Sequence, residues 1–367
     1  MFAPRQIASR FSPPQRDNNP ADAAILSRLN AVRFLTVVMI GIGYASTMAV
    51  GPQSKEWLHV LGHDPSWYGI QVLFFLSGWL AWRSLSSGRG VAAFIRSRAL
   101  RNLPWVILYT LIVSVVLYPL LCNHDSPAAQ GALQLALYFF KTVTLVDPGG
   151  PLPGALDDAL YACLLQGTIW TLRWGVVAFA GLILIYATGM RTRTLIGLLA
   201  LCIAAHIAIG SWSLRTESTA FDPLVPGLRL GYAFLFGAVM RSVNHVRLKS
   251  WRGWLAISAT CLGLATLHYV GLTWTHMIEV LASLGWCALA MALLLSPLAG
   301  LRRWPNLTLP TYLGIWPVAQ WLLSQHPDIS VPTLVLATVS ISVGLALFLR
   351  GLLSLSVSPA HRRVQTA

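Results

Sequence analysis

The chain has 367 residues, of which 56% are hydrophobic and only 10% charged, with a mean hydropathy of +0.64. Soluble domains run at about 45–50% apolar and about 25% charged, so an ordinary soluble enzyme and a disordered chain are both excluded. A net charge of +14 would point to nucleic acid in a soluble protein. In a chain this apolar it points instead to cationic loops that fix membrane topology, and no nucleic-acid partner is expected.

Residues 1–28 are polar, with Pro4, Pro13, Pro14, Pro20 and four arginines, which predicts a flexible cytoplasmic tail. The charged stretch before the first apolar run is too long for a signal peptide. Apolar runs follow at about 30–50, 67–84, 103–122, 131–147, 169–188, 194–211, 227–243, 251–270, 276–296, 308–324 and 331–350. A spanning helix needs about 20 residues. If every run crossed, the basic loops would fall on both sides of the membrane. The run 131–147 contains Lys141 and leads into Asp147, Pro148, Gly149, Gly150, Pro151 and Pro153. Leaving it uncrossed puts the basic loops on one side.

The expected fold is therefore all-α, a polytopic integral membrane helical bundle of about ten transmembrane helices. A membrane domain would cover 29–353, with a long outer loop at 123–168 carrying an interfacial or re-entrant helix, and a second cytoplasmic tail at 354–367. Twenty of the 26 basic side chains would then be cytoplasmic. Lys55, Lys141, Arg173, Arg215 and Arg229 would lie at the outer edge, and Arg33 inside the first span. This asymmetry predicts a multi-pass protein of the inner (plasma) membrane, lipid-surrounded, with both termini cytoplasmic. No internal repeat is visible, which weakens an inverted-repeat transporter. The five cysteines show no metal-ligand spacing, and no metal site is expected. Four fall in or beside apolar runs, where Cys behaves as a small hydrophobe. Cys122 and Cys163 could both face outward and form one disulfide.

Ionisable groups within spans are costly and are functional candidates by default. Arg33, Arg173 and Glu279 stand out. Arg33 either snorkels to the headgroups or serves a ligand; Arg173 and Glu279, near outer ends, either pair or sit at the interface. In the tract 94–104, Arg98 and Arg101 are three apart on one helix face, with Arg96 two residues earlier. Guanidinium groups suit bidentate phosphate binding, although a topology anchor on anionic lipid explains the tract as well. His59, His63, His276 and His326 read as outer loop or interfacial residues, His63 with Asp64 as an orienting carboxylate. His206 and His268 read as satisfied core histidines. No Walker loop, GxSxG elbow, HExxH or GxGxxG after a strand is present.

Several stretches, in order, resemble the acyltransferase-3 family of membrane O-acyltransferases. They are Leu29-Asn30-Ala31-Val32-Arg33-Phe34-Leu35, then Val72-Leu73-Phe74-Phe75-Leu76-Ser77-Gly78-Trp79-Leu80, similar to the family's FF-LSG signature. The tract ending Arg101-Asn102-Leu103-Pro104 and the segment Gln166-Gly167-Thr168-Ile169-Trp170-Thr171-Leu172-Arg173-Trp174 follow. Phe234-Leu235-Phe236-Gly237 and Tyr312-Leu313-Gly314-Ile315-Trp316-Pro317 complete the set, covering about residues 29–350.

The resemblance implies transfer of an acyl group, often acetyl, from cytoplasmic acetyl-CoA or another acyl-CoA to a hydroxyl of an exopolysaccharide, O-antigen or other envelope glycan, including lipid-linked oligosaccharide. It implies no bound cofactor, since the acyl-CoA is a substrate. It places Arg33, Arg96, Arg98 and Arg101 on the donor side, and Ser77, Trp170, Arg173 and Glu279 against substrate. Three positions depart from the family pattern. Tyr44 stands where the first-span His is expected, Gly175 where the Glu after the Trp-Thr-Leu segment is, and Ile315 where the late His is. Attack of an alcohol on a thioester needs a base; a His near pKa 6.5 serves at neutral pH and an ordinary Tyr near 10 does not. His59, His63, His276 with Glu279, and His326 are the groups that could substitute for the missing His, His63 having Asp64 beside it. The alternatives are a pseudoenzyme partnering an active paralogous acyltransferase, and a lipid-linked sugar transporter.

Overall fold

The apolar runs fold as helices. The structure, a computed structural model, describes residues 20–51, 59–88, 90–122, 131–157, 159–189, 192–216, 220–243, 250–271, 275–298 and 304–356. Residues 1–19 and 357–367 of the expected tails lie outside the described residues. The helices are α1 (Pro20–Val50), α2 (Pro65–Ser86), α3 (Val91–Leu111), α4 (Tyr118–Leu121), α5 (Ala132–Val143), α6 (Trp170–Ala187), α7 (Thr192–Thr216), α8 (Val225–Ser242), α9 (Trp251–Gly271), α10 (Thr275–Leu295), α11 (Thr308–Gln325) and α12 (Val331–Ser356). Two isolated β-bridges, Val60 with His63 and Cys122 with Ala155, are the only extended pairings among the described residues.

Local chemistry sets several boundaries. Asp64 caps α2, its carboxylate accepting from the Ser66 and Trp67 amides at 2.7 and 3.2 Å and from the Ser66 hydroxyl. Pro65 follows at the first helical position, where its missing N–H costs nothing. α3 and α4 are joined through a wide six-residue turn, Ile112–Leu117, into one apolar rod of 31 residues. Pro104 lies inside α3 and removes one hydrogen bond of its ladder. α1 is longer than its apolar run: residues 20–28, expected in the tail, are helical, and Ile25, Arg28 and Leu29 are buried. At 31 residues α1 reaches about 46 Å, more than a hydrocarbon core of about 30 Å.

Among the described residues, seven helical stretches are long and apolar enough to cross a membrane: Ile25–Val50, Val91–Leu121, Trp170–Ala187, Thr192–Ser213, Trp251–Val270, His276–Leu295 and Val331–Leu353. α2, α8 and α11 fall outside that group, and burial explains why. Most of α2 and α11 is buried within the bundle, so these two helices need no lipid-facing apolar surface and can carry Gln71, Gln320 and Tyr312, while α8 buries Tyr232. By contrast only 11% of the α6 window and 17% of the α7 and α9 windows are buried. Their outward residues, such as Leu184, Leu201 and Leu267, are large and exposed, as a lipid-facing surface requires. α5, with 12 residues, is too short to cross, in keeping with 131–147 as a non-spanning segment.

α2 and α8 cross at backbone contact. A Cβ on Gly78 would strike the Phe234 carbonyl, and one on Gly237 would strike the Phe75 carbonyl. The Phe75-Leu76-Ser77-Gly78 and Phe234-Leu235-Phe236-Gly237 motifs are therefore two halves of one small-residue crossing. Beside it, the Tyr232 hydroxyl lies 3.1 Å from Gln71 Oε1 and 2.9 Å from Ser283 Oγ, tying α8 to α2 and α10.

Candidate functional site

Helix order gathers the candidate residues at opposite ends of the bundle. The first end holds the start of α3 and Arg33, 13 positions into α1. Arg33, Arg98 and Arg101 lie close enough there to feel one another's charge. The Arg98 guanidinium rests 5.3 Å over the Phe94 ring and 5.1 Å over Phe179, which fixes its plane. Arg33 is half-buried and its Nε has no partner among the described residues. Arg241 covers Trp79 at 5.3 Å, and Arg28 donates to the Leu294 carbonyl at 3.2 Å. No carboxylate among the described residues pairs with Arg33, Arg98 or Arg101. Arg96 and Arg101 are both exposed, but Arg101 shares the helix face of Arg98, whereas Arg96, two residues before Arg98, points roughly 200° around the helix. The tract thus contributes two of its three arginines to the cluster.

The opposite end is organised by Glu279. Oε1 meets His63 Nε2 at 3.2 Å, and Oε2 meets His206 Nε2 at 3.1 Å and His276 Nδ1 at 3.2 Å. His276 and Glu279 are three apart on α10, hence on one face; His206 comes from α7 and His63 from the turn before α2. His206 is fully buried and Glu279 is 15% exposed. The His63 ring stacks on Trp67 at 4.0 Å with the planes 8° apart. Arg229, from the start of α8, places its guanidinium 4.6 Å over Trp67. It lies in the electrostatic field of Glu279, Asp64 and Tyr44.

Tyr44, on α1, packs edge-on against Trp316 at 5.3 Å. Its hydroxyl is buried and has no hydrogen-bond partner among the described residues. Tyr161 packs on the same indole at 5.2 Å. The end of the 123–168 loop dips into the bundle here, and Leu165, Gln166, Thr168 and Ile169 are buried. α11 holds it: Trp316 Nε1 donates to the Leu164 carbonyl at 2.8 Å, Gln320 Nε2 to the Tyr161 carbonyl at 3.0 Å, and the Tyr312 hydroxyl to the Thr168 carbonyl at 2.9 Å. Gly167 admits the Trp316 ring, which a Cβ would strike. A cavity of about 220 Å³ opens beside this contact, lined by Met48, Leu160, Tyr161, Gln320 and Ser324 among others. Burial, together with the Asp64 charge, pushes the Tyr161 phenol up.

Of the expected site residues, then, Arg33, Arg98 and Arg101 come together, and so do His63 and Glu279. Trp170 is half-buried at the start of α6, packed against the core near Tyr44. Ser77 is half-buried in α2 beside the glycine crossing. Arg173 is exposed, and Glu279 pairs with histidines. Asp64 is spent on the α2 cap, so the carboxylate that orients His63 is Glu279. Ile315 is buried against Gly41 of α1, while Gly175 faces open space. The thiols of Cys122 and Cys163 are free. Cys163 donates to Asp157 Oδ1 at 3.1 Å, and burial first and this carboxylate second push the thiol up.

Sequence reasoning placed Arg229 only at the outer edge and His206 in the core. His206 does lie in the core, but against Glu279. Its signal was present in a default that treats an ionisable group in a span as functional. No family model matches the chain, and no curated protein or solved structure matches it significantly.

Proposed function

We propose that the chain is a membrane O-acyltransferase, of acyltransferase-3 type, with ten spans once α2, α8 and α11 are counted. It takes an acyl group, in the first instance acetyl, from cytoplasmic acyl-CoA at the arginine end. It delivers the group to a hydroxyl of an envelope glycan, exopolysaccharide or O-antigen at the histidine end. Both termini are cytoplasmic in this reading, and the membrane is the inner one. The observation that carries it is the convergence of Arg33, Arg98 and Arg101 with no carboxylate among the described residues. Like charges gathered at a low-dielectric boundary repel, and a polyphosphate donor relieves that repulsion through charge-assisted, bidentate bonds.

At the other end the acceptor oxygen attacks the thioester carbonyl. The new C–O bond forms, the hydroxyl proton passes to a base, the C–S bond breaks, and CoA leaves as the thiolate, which takes that proton up as free CoA thiol. His63 is the base. With Nε2–H donating to Glu279, its Nδ1 keeps a lone pair, and the ring is exposed enough to meet a sugar. Tyr44, Tyr161 and Trp170, each half-buried, offer the aromatic faces on which sugar rings stack, and Arg229 offers donors for their oxygens.

A second reading is favoured by the unpartnered Tyr44 hydroxyl, by Ile315 packed on Gly41, and by the loop residues that fill the space beside them. In it the chain is a pseudoenzyme that binds the same ligands and partners an active paralogous acyltransferase. Acetyl analysis of the surface glycan in a deletion strain separates the readings. Rescue by wild type but not by Arg101→Ala or His63→Ala supports catalysis by this chain. In that case Tyr44→His does not lower transfer. Rescue by His63→Ala at the wild-type level contradicts it.

A further inference from the structure

His206, His276 and Glu279 place three metal-binding atoms within 4.8 Å of one another. We infer that they form a site for Zn²⁺ or a similar first-row divalent ion. The inference does not depend on the acyl-transfer reading.

The geometry carries it. A zinc ion bound at about 2.0–2.1 Å by two imidazoles and a carboxylate in a tetrahedral site holds its ligand atoms about 3.3 Å apart. His206 Nε2 and His276 Nδ1 stand 3.1 and 3.2 Å from the same oxygen, Glu279 Oε2. The two rings are nearly perpendicular, with planes at 86°, and each turns a nitrogen to Glu279 Oε2. Gly210 makes the approach feasible, since a Cβ there would strike the His276 ring.

The protonation state is open to metal. His206 Nδ1 is buried with no partner among the described residues, and the His276 ring, with Nδ1 on Glu279, lies against the Gly210 backbone. No neighbouring donor therefore locks the protons onto the ligating nitrogens. The donor set is two nitrogens and one oxygen, which suits zinc and, in order of affinity, nickel and copper. Three protein ligands leave a fourth position for water or substrate, the pattern of an open site. His63 Nε2 holds the second carboxylate oxygen, Oε1, at 3.2 Å, and so orients Oε2 toward the rings as an outer-shell partner does. The surroundings favour a cation as well. The Glu279 carboxylate is mostly withdrawn from water, which strengthens its attraction for a cation, although the Arg229 guanidinium lies in the same field and opposes part of it.

The test uses the full chain in detergent with any affinity tag removed, stripped with chelator and reloaded with zinc alone. Elemental analysis after gel filtration is expected to give one zinc per chain. Cobalt substitution is expected to give the intense visible bands of a tetrahedral site. Glu279→Gln and His276→Asn are expected to weaken zinc binding by about 100-fold or more, and His63→Asn by about 10-fold. Wild type that takes up no zinc while monodisperse overturns the inference. So does equal zinc affinity in Glu279→Gln and His276→Asn. If those variants fail to fold, the cobalt spectrum of the unaltered chain decides, and weak octahedral bands overturn it. Unchanged glycan acetylation in the deletion strain, with intact zinc binding by the purified chain, would overturn the proposed function alone.

Discussion

The two ends of the bundle gather ionisable groups in opposite ways. At the first, Arg33, Arg98 and Arg101 stand together without a carboxylate among the described residues, and Arg98 rests on phenyl rings. At the second, one carboxylate, Glu279, holds His63, His206 and His276 at 3.1–3.2 Å. The first leaves three positive charges without a neutralising carboxylate among the described residues, which is why the proposed function seats an anion there. The second is tied together by its own carboxylate, so its groups hold one another in place before any ligand or ion arrives. Removing a group should therefore cost ligand binding at the arginine end and stability at the histidine end.

The largest effect falls on what joins the two ends. α2 carries Trp67 beside the histidines and Trp79 under Arg241, and it is pinned to α8 at Gly78 and Gly237. Gly78→Val forces two backbones apart, and the expected outcome is loss of monodisperse protein in detergent, with both ends lost together. Folded Gly78→Val protein would show that the crossing is dispensable. Next in size, Glu279→Ala strips three imidazoles of their common partner. Breaking a buried pair costs about 3–5 kcal/mol, so thermal unfolding should shift down by many degrees while acyl-CoA affinity holds. A fall in affinity with unchanged unfolding would reverse the proposed division.

Smaller still, Arg98→Ala should cost donor affinity several-fold, through one guanidinium and its aromatic support, whereas Arg96→Ala should cost almost none. Equal losses would mean that the whole tract acts as a diffuse anchor. The smallest prediction concerns Cys163. Its thiol is raised by burial and Asp157, so less thiolate is present at any given pH. Maleimide labelling at this residue, read by mass spectrometry, should be slow at neutral pH and rise as pH increases through the shifted range. Asp157→Asn should speed it; no change would remove the carboxylate from the account.

Much of the fold was legible because apolar runs and helices coincide in a membrane bundle. Each expected span corresponds to a helix, and 131–147 holds only the short α5. The boundary errors have local causes. Ile25 and Leu29 extend the apolar face of α1 into the polar tail, where prolines and arginines masked it. Asp64-Pro65 is a readable helix start, and taking Asp64 for a partner of His63 overlooked it. The arginine cluster was half legible: Arg98 and Arg101 share a helix face, but Arg33 joins them only through packing of α1. The histidine cluster was least legible. Of its pairs, only His276 and Glu279 are near in sequence; His206 and His63 lie 73 and 216 positions from Glu279. Which helix neighbours α10 is fixed by tertiary contacts such as Gly210 against His276, and periodicity carries no trace of that.

The most direct measurement is acyl-CoA binding to the detergent-purified chain by isothermal titration at two salt concentrations. The account predicts that Arg33→Ala and Arg101→Ala each weaken binding by about 10-fold or more, the scale of a lost charge-assisted bond, that wild-type affinity falls with added salt, and that Arg96→Ala binds as wild type does. Unchanged affinity in Arg33→Ala and Arg101→Ala would contradict it.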